Sequence, residues 1–153
     1  METDFHQGGC ACGIVRYKII SNPVAAFVCN CRYCQLRTGS AFGIGVYFLH
    51  NQVHKLSGNL KKYSFNSESG NKIVTQFCID CGTSIYLNFF NKPMSGWTGI
   101  TGGTFDPPSF WYNITREVYT RSSASFVNNK IKEKLETSTL YNPLHLDEKR
   151  KQG

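Results

Sequence analysis

Seven cysteines fall in three tight clusters, and their spacing limits what this chain can become more than any other feature. Cys10 and Cys12 form a C-x-C, Cys29, Cys31 and Cys34 a C-x-C-x-x-C, and Cys78 and Cys81 a C-x-x-C followed by Gly82. An odd number cannot close into a complete set of internal disulfides. Sulfurs two or three residues apart can instead converge on one ion from a single tight turn. Gly82, and Gly8, Gly9 and Gly13 around the first pair, offer the positive φ that such turns need. Two pairs count to a closed four-thiolate site of the structural zinc kind. The triplet counts to three and leaves a fourth position, which is either open, as in catalytic zinc sites, or filled by a histidine such as His6, His50 or His54. A redox reading of the C-x-x-C would need a surrounding βαβ pattern, which the sequence lacks.

The chain has 153 residues, enough for one domain. Repeated short apolar runs broken by turn residues predict a mainly β fold, with short loops and little helix. Strands are expected over 14–20, 25–29, 41–48, 53–56, 62–66, 72–77, 84–90, 97–105 and 117–120. Residues 36–40 read as loop, and 129–136 as the only weak helix. The natural division is a zinc domain over 1–128 and a basic C-terminal extension over 129–153, with a mobile or surface-hugging tail from Thr137. No run of about 18 apolar residues is present, which argues against a membrane-spanning helix. Glu2 and Asp4 occupy an N-terminus without an apolar stretch, so a cytoplasmic location is expected, with the nucleus possible. The formal charge of +7 could mean a nucleic-acid or anionic partner, but a solvated basic tail is the simpler account and no nucleic-acid partner is expected. Seven thiolates and two Zn²⁺ ions would lower it to about +4. Much of the remainder lies in a tail containing Lys130, Lys132, Lys134, Lys149, Arg150 and Lys151.

Further motifs carry a resemblance. Gly9-Cys10-Ala-Cys12-Gly13 leads to Arg16-Tyr17, and Cys29-Asn-Cys31-Arg-Tyr-Cys34 to Thr38-Gly39-Ser40-Ala41-Phe42-Gly43. Leu56-Ser-Gly58-Asn-Leu60, Tyr63 and Phe77-Cys78-Ile-Asp-Cys81-Gly82-Thr83 follow in order. In order and spacing these pieces resemble the glutathione-dependent formaldehyde-activating family, which includes centromere protein V. The resemblance implies a β-rich fold of the Mss4-like type. It implies two zinc ions per chain: a structural one on Cys10, Cys12, Cys78 and Cys81, and a catalytic one on Cys29, Cys31 and Cys34. The implied activity is a carbon–sulfur lyase joining formaldehyde, or another small aldehyde, to glutathione or a related small thiol. The alternative is a non-catalytic zinc module of the centromere protein V type. Asn30 stands where many relatives have histidine, so a contact behind the zinc ligands is expected to differ.

Other residues near the clusters are weaker candidates. Arg32 and Arg37 flank the triplet and could offset its negative charge or hold substrate carboxylates. Tyr33 and Ser40 are possible proton relays. Asp80 reads as a turn residue inside the second knuckle.

Overall fold

The computed structural model describes residues 5–67 and 70–139. Lys149, Arg150 and Lys151, and most of the expected tail, lie outside them. The fold is mainly β. A three-stranded antiparallel sheet has the order β1 (His6–Gly9), β2 (Arg16–Ile19), β5 (Val53–Ser57). An eight-stranded sheet contains β3 (Ala25–Cys29), β4 (Gly43–Leu49), β6 (Leu60–Asn66), β7 (Lys72–Cys78), β8 (Ser84–Phe89), β9 (Trp97–Thr101), β10 (Arg116–Val118) and β11 (Glu133–Lys134). Its spatial order is β11-β10-β3-β4-β9-β8-β7-β6, antiparallel except where β10 runs parallel to both β3 and β11.

Strand alternation determines where the core lies. In β2, Tyr17 and Ile19 are fully buried while Arg16 and Lys18 turn outward, the period-2 pattern of a sheet with one buried face. They pack with Val15, Ala26, Val46, Phe48, Ile85 and Ile100 into one apolar cluster. β4 is central and covered on both faces, so Val46 and Phe48 enter this core while Gly43, Gly45 and Tyr47 face the other side. A register shift between β7 and β8 lets neighbouring Ile85 and Tyr86 both reach the core.

The other face of the large sheet is concave, and register explains why. Cys29 lies opposite Gly43, and Phe27 opposite Gly45. Tyr47 lies opposite Gly99, which in turn pairs with Leu87. A Cβ on Gly99 would come within 2.8 Å of the Tyr47 ring, so glycine makes the room that the ring occupies.

The structure corrects five details of the sequence reading. Residues 36–38 belong to α1 (Arg32–Thr38), a seven-residue helix. Its N-cap is Cys31, whose sulfur accepts from the Cys34 N–H, and it is closed by Gly39 at φ 65°. A helix this short, with a cysteine as its cap, has neither the usual oxygen cap nor enough length for a periodic signal. Residues 129–136 are not helical: Glu133–Lys134 is a strand, because pairing with β10 outweighs local propensity. The strand begun at Trp97 ends at Thr101 and passes into a 3₁₀ turn over Gly102–Thr104. β1 was not anticipated, because two of its four residues are glycine. Gly8 and Gly9 are strand residues rather than turn residues, and of the three glycines near the first cysteine pair only Gly13 has positive φ.

Gly8 abuts the Tyr17 hydroxyl and the Thr104 carbonyl, with no space for a side chain. Gly8→Ala should therefore cost about 1–3 kcal/mol, read as a lower denaturant midpoint at unchanged slope. An unchanged midpoint would show that β1 can shift away without penalty.

Candidate metal centres

The fold gathers all seven cysteines into two groups. Cys10, Cys12, Cys78 and Cys81 form one, and Cys29, Cys31 and Cys34 the other, with the sulfurs of each group within 4.8 Å of one another. Zn–S bonds near 2.3 Å in a tetrahedron place sulfurs about 3.8 Å apart. The Cys10–Cys12 and Cys12–Cys78 separations are 3.4 and 3.8 Å, so the four-thiol group fits a tetrahedral ion with little adjustment.

Each knuckle is built by its own turn. Gly13 N–H donates to Cys10 C=O at 3.1 Å and Gly82 N–H to Cys78 C=O at 2.9 Å, both glycines having positive φ. Backbone N–H groups also point at sulfur: Val15 at Cys10 (3.2 Å) and Asp80 at Cys78 (3.4 Å). Such donors stabilise thiolate charge. The Thr83 hydroxyl links the two knuckles, accepting from Ala11 N–H at 3.1 Å and lying 3.2 Å from Cys81 Sγ. That contact, then the Thr83 backbone N–H, lowers the Cys81 thiol to about 5. Asp80 is an exposed turn residue whose backbone, not its carboxylate, serves the site.

The triplet spans the end of β3 and the start of α1. As free thiols the three share charge unevenly. Hydrogen bonds from Cys29 and Cys31, and then the Arg37 guanidinium, hold Cys34 well below the usual thiol range. Sharing with Cys31 and Cys34 pushes Cys29 well up. Arg37 Nη2 lies 3.8 Å from Cys34 Sγ, and its buried Nη1 has no protein partner among the described residues. Gly43 leaves the space for this contact, since a Cβ there would sit 2.7 Å from Arg37 Nη2.

Unlike a closed site, the triplet lines a cavity of about 100 Å³ on the concave face of the large sheet. Tyr33 also lines it, but Arg32 and Ser40 do not. Tyr47, which the sequence reading did not single out, has its phenol kept protonated by burial and then by the facing Cys34 and Cys29. The signal for it was present as Gly43-Ile-Gly45-Val-Tyr47, a strand face emptied of side chains that ends in a hydroxyl-bearing ring. Tyr119, also on the wall, holds a left-handed backbone at φ 56°, the kind of strain found at functional sites.

No histidine joins either sulfur group among the described residues. His50 is occupied by Thr98 Oγ1 at 2.7 Å and the Ser95 carbonyl at 3.1 Å. His6 stacks on Trp111 at 3.5 Å, and His54 is exposed on β5.

Asn30, between two of the triplet's cysteines, is completely buried. Its Nδ2 donates to Glu117 Oε1 at 3.0 Å and to the Val118 carbonyl at 3.2 Å. Glu117 also accepts from Asn129 at 3.1 Å and pairs with Lys134. Burial alone would raise the Glu117 carboxyl, but the bonds from Lys134, Asn30 and Asn129 win and hold it below the usual carboxylate range. One lysine of the expected basic tail, itself exposed, is thus held against a buried carboxylate.

The two groups should respond differently to loss of a sulfur. Cys78→Ser removes a ligand at a junction between the sheets and should leave little soluble, folded protein. Cys31→Ser should fold and bind one metal ion fewer. Circular dichroism melting with elemental analysis checks both; equal behaviour of the two variants would refute the distinction.

The family model described as glutathione-dependent formaldehyde-activating enzyme matches residues 5–122. Among solved structures, a structural-genomics crystal structure of a Rhodobacter sphaeroides protein is similar, at 17% identity and a TM-score of 0.49. The match covers 84% of this chain and 98% of that one.

Proposed function

The chain belongs to the glutathione-dependent formaldehyde-activating family, and from that premise we propose that it is a zinc-dependent carbon–sulfur lyase acting on adducts of glutathione with small aldehydes. The observation that carries this reading is the contrast between the two sulfur groups. Four thiols complete a coordination shell by themselves, whereas three line a cavity that a substrate can enter. On this reading the first group holds structural zinc and Cys29, Cys31 and Cys34 hold catalytic zinc.

Zinc bound by the triplet would favour the thiolate form of an incoming thiol and hold it beside the aldehyde. In the synthetic direction the sulfur electron pair forms the C–S bond, the carbonyl π pair moves to oxygen, and that oxygen takes up a proton to become the hydroxyl. In reverse the hydroxyl loses its proton, the carbonyl re-forms and sulfur leaves with the C–S pair. Arg37, beside Cys34, offsets the negative charge that three thiolates leave on a divalent ion. The protonated Tyr47 phenol, on the same wall, is suited to donate a hydrogen bond to the aldehyde oxygen as its charge develops. Arg116 also lines the cavity, its Nε paired with Glu133 at 2.9 Å, and its remaining N–H groups suit a glutathione carboxylate.

No helix among the described residues is long and apolar enough to cross a membrane. All seven cysteines are free, which suits a reducing compartment such as the cytoplasm.

The first test is zinc per chain of anaerobically purified protein, with zinc-edge absorption before and after glutathione. Two zinc ions, one gaining a sulfur ligand, is the expected result. One zinc indifferent to glutathione would leave a structural module, the non-catalytic alternative. A second test is Tyr47→Phe, which should keep both zinc ions and lower kcat for adduct formation about 10²-fold or more. Wild-type kcat in that variant would remove the phenol from the reaction.

A further inference from the structure

Most of the cavity wall beside the triplet is apolar, and formaldehyde chemistry does not require that. Phe27, Tyr47, Phe65, Ile73, Leu87 and Phe89 contribute to it. Sheet register builds this wall, because Phe89 pairs with Ile73 and Ile73 with Phe65 across three strands. The rings support one another: Phe27–Tyr47 centroids lie 5.4 Å apart, Tyr47–Phe89 5.7 Å and Tyr33–Phe65 5.2 Å. A hydroxymethyl group has one carbon and a hydroxyl, too little apolar surface to use six such side chains.

Building on the lyase reading above, we propose that the preferred adduct carries a short apolar substituent on its reacting carbon, so that the carbonyl substrate is a short alkyl aldehyde rather than formaldehyde. The reaction is R–CHO + GSH ⇌ R–CH(OH)–SG, in which one C–S bond forms, the thiol proton ends on the new hydroxyl and no oxidant is consumed. Cavity size sets the length of R. A 150 Å³ apolar cavity accepts the six carbons of benzene, so the roughly 100 Å³ here suits about four carbons. The tripeptide body, too large for that space, remains at the mouth, with a carboxylate toward Arg116.

Inert thioethers test this without turnover. The zinc-loaded full chain is titrated calorimetrically with glutathione and with its S-methyl, S-propyl and S-hexyl derivatives. Each buried methylene is worth about fourfold in affinity, so S-propyl should bind roughly fifteenfold tighter than S-methyl, with at most one further fourfold step at S-hexyl. Phe65→Ala, on the edge strand β6, should shrink the propyl-to-methyl ratio. Equal binding of S-methyl and S-propyl, or a ratio untouched by Phe65→Ala, would overturn the apolar substituent while glutathione binding kept the lyase reading. A gain beyond that step at S-hexyl would overturn the size limit. Failure of every ligand, glutathione included, would overturn both readings.

Discussion

Convergence of four sulfurs from two distant knuckles is the constraint on which the rest of the structure depends. Cys10 and Cys12 follow the first strand of the small sheet, while Cys78 ends the seventh strand, within the large one, and Cys81 follows it. An ion held there ties the two sheets at one corner, over a loop whose closure would otherwise cost entropy. With that corner fixed, β2 can press Tyr17 and Ile19 against Val46 and Phe48 without a long-range connection of its own. A domain of this size has a modest core, and a metal cross-link at this corner would supply stability that apolar burial alone would not.

The second sulfur group depends on a different device. Its three cysteines are placed by a strand end and a short helix, but the space in front of them is made by what the sheet omits. Gly43, Gly45 and Gly99 fall opposite Cys29, Phe27 and Tyr47, so one face of a fully paired sheet is hollow. The other face of β4 stays packed. A single strand therefore serves the core with Val46 and Phe48, and the cavity with alternate residues. Behind the cysteines, the buried Asn30 amide ties the triplet to the Glu117 carboxylate and the Val118 carbonyl on β10.

The grouping of the sulfurs was legible because cysteine spacing is a local property. Two residues between Cys78 and Cys81 imply a knuckle whatever the rest of the chain does. Most strands were legible for the same reason, through alternation over five to seven residues. The misses arose where tertiary partners decide. β1 is too short and glycine-rich to signal itself, yet Tyr17 packs on it. Residues 133–134 have helical propensity, yet Glu117 draws Lys134 into a parallel strand pairing. Tyr47 looked like an ordinary strand residue, because its role depends on two glycines facing it from other positions in the sequence.

The Lys134–Glu117 pair has a consequence for anyone choosing where to cut the gene. The family match stops at residue 122, and a fragment ending there would seem a natural minimal piece. It would retain Glu117, 3% exposed, while discarding Lys134 and Asn129, two of the three side chains that keep its charge tolerable. The remaining partner, Asn30, sits between two triplet cysteines, so the electrostatic fault would be felt at the triplet. Homology and electrostatic self-sufficiency thus end at different places in this chain, and the second boundary lies beyond Lys134.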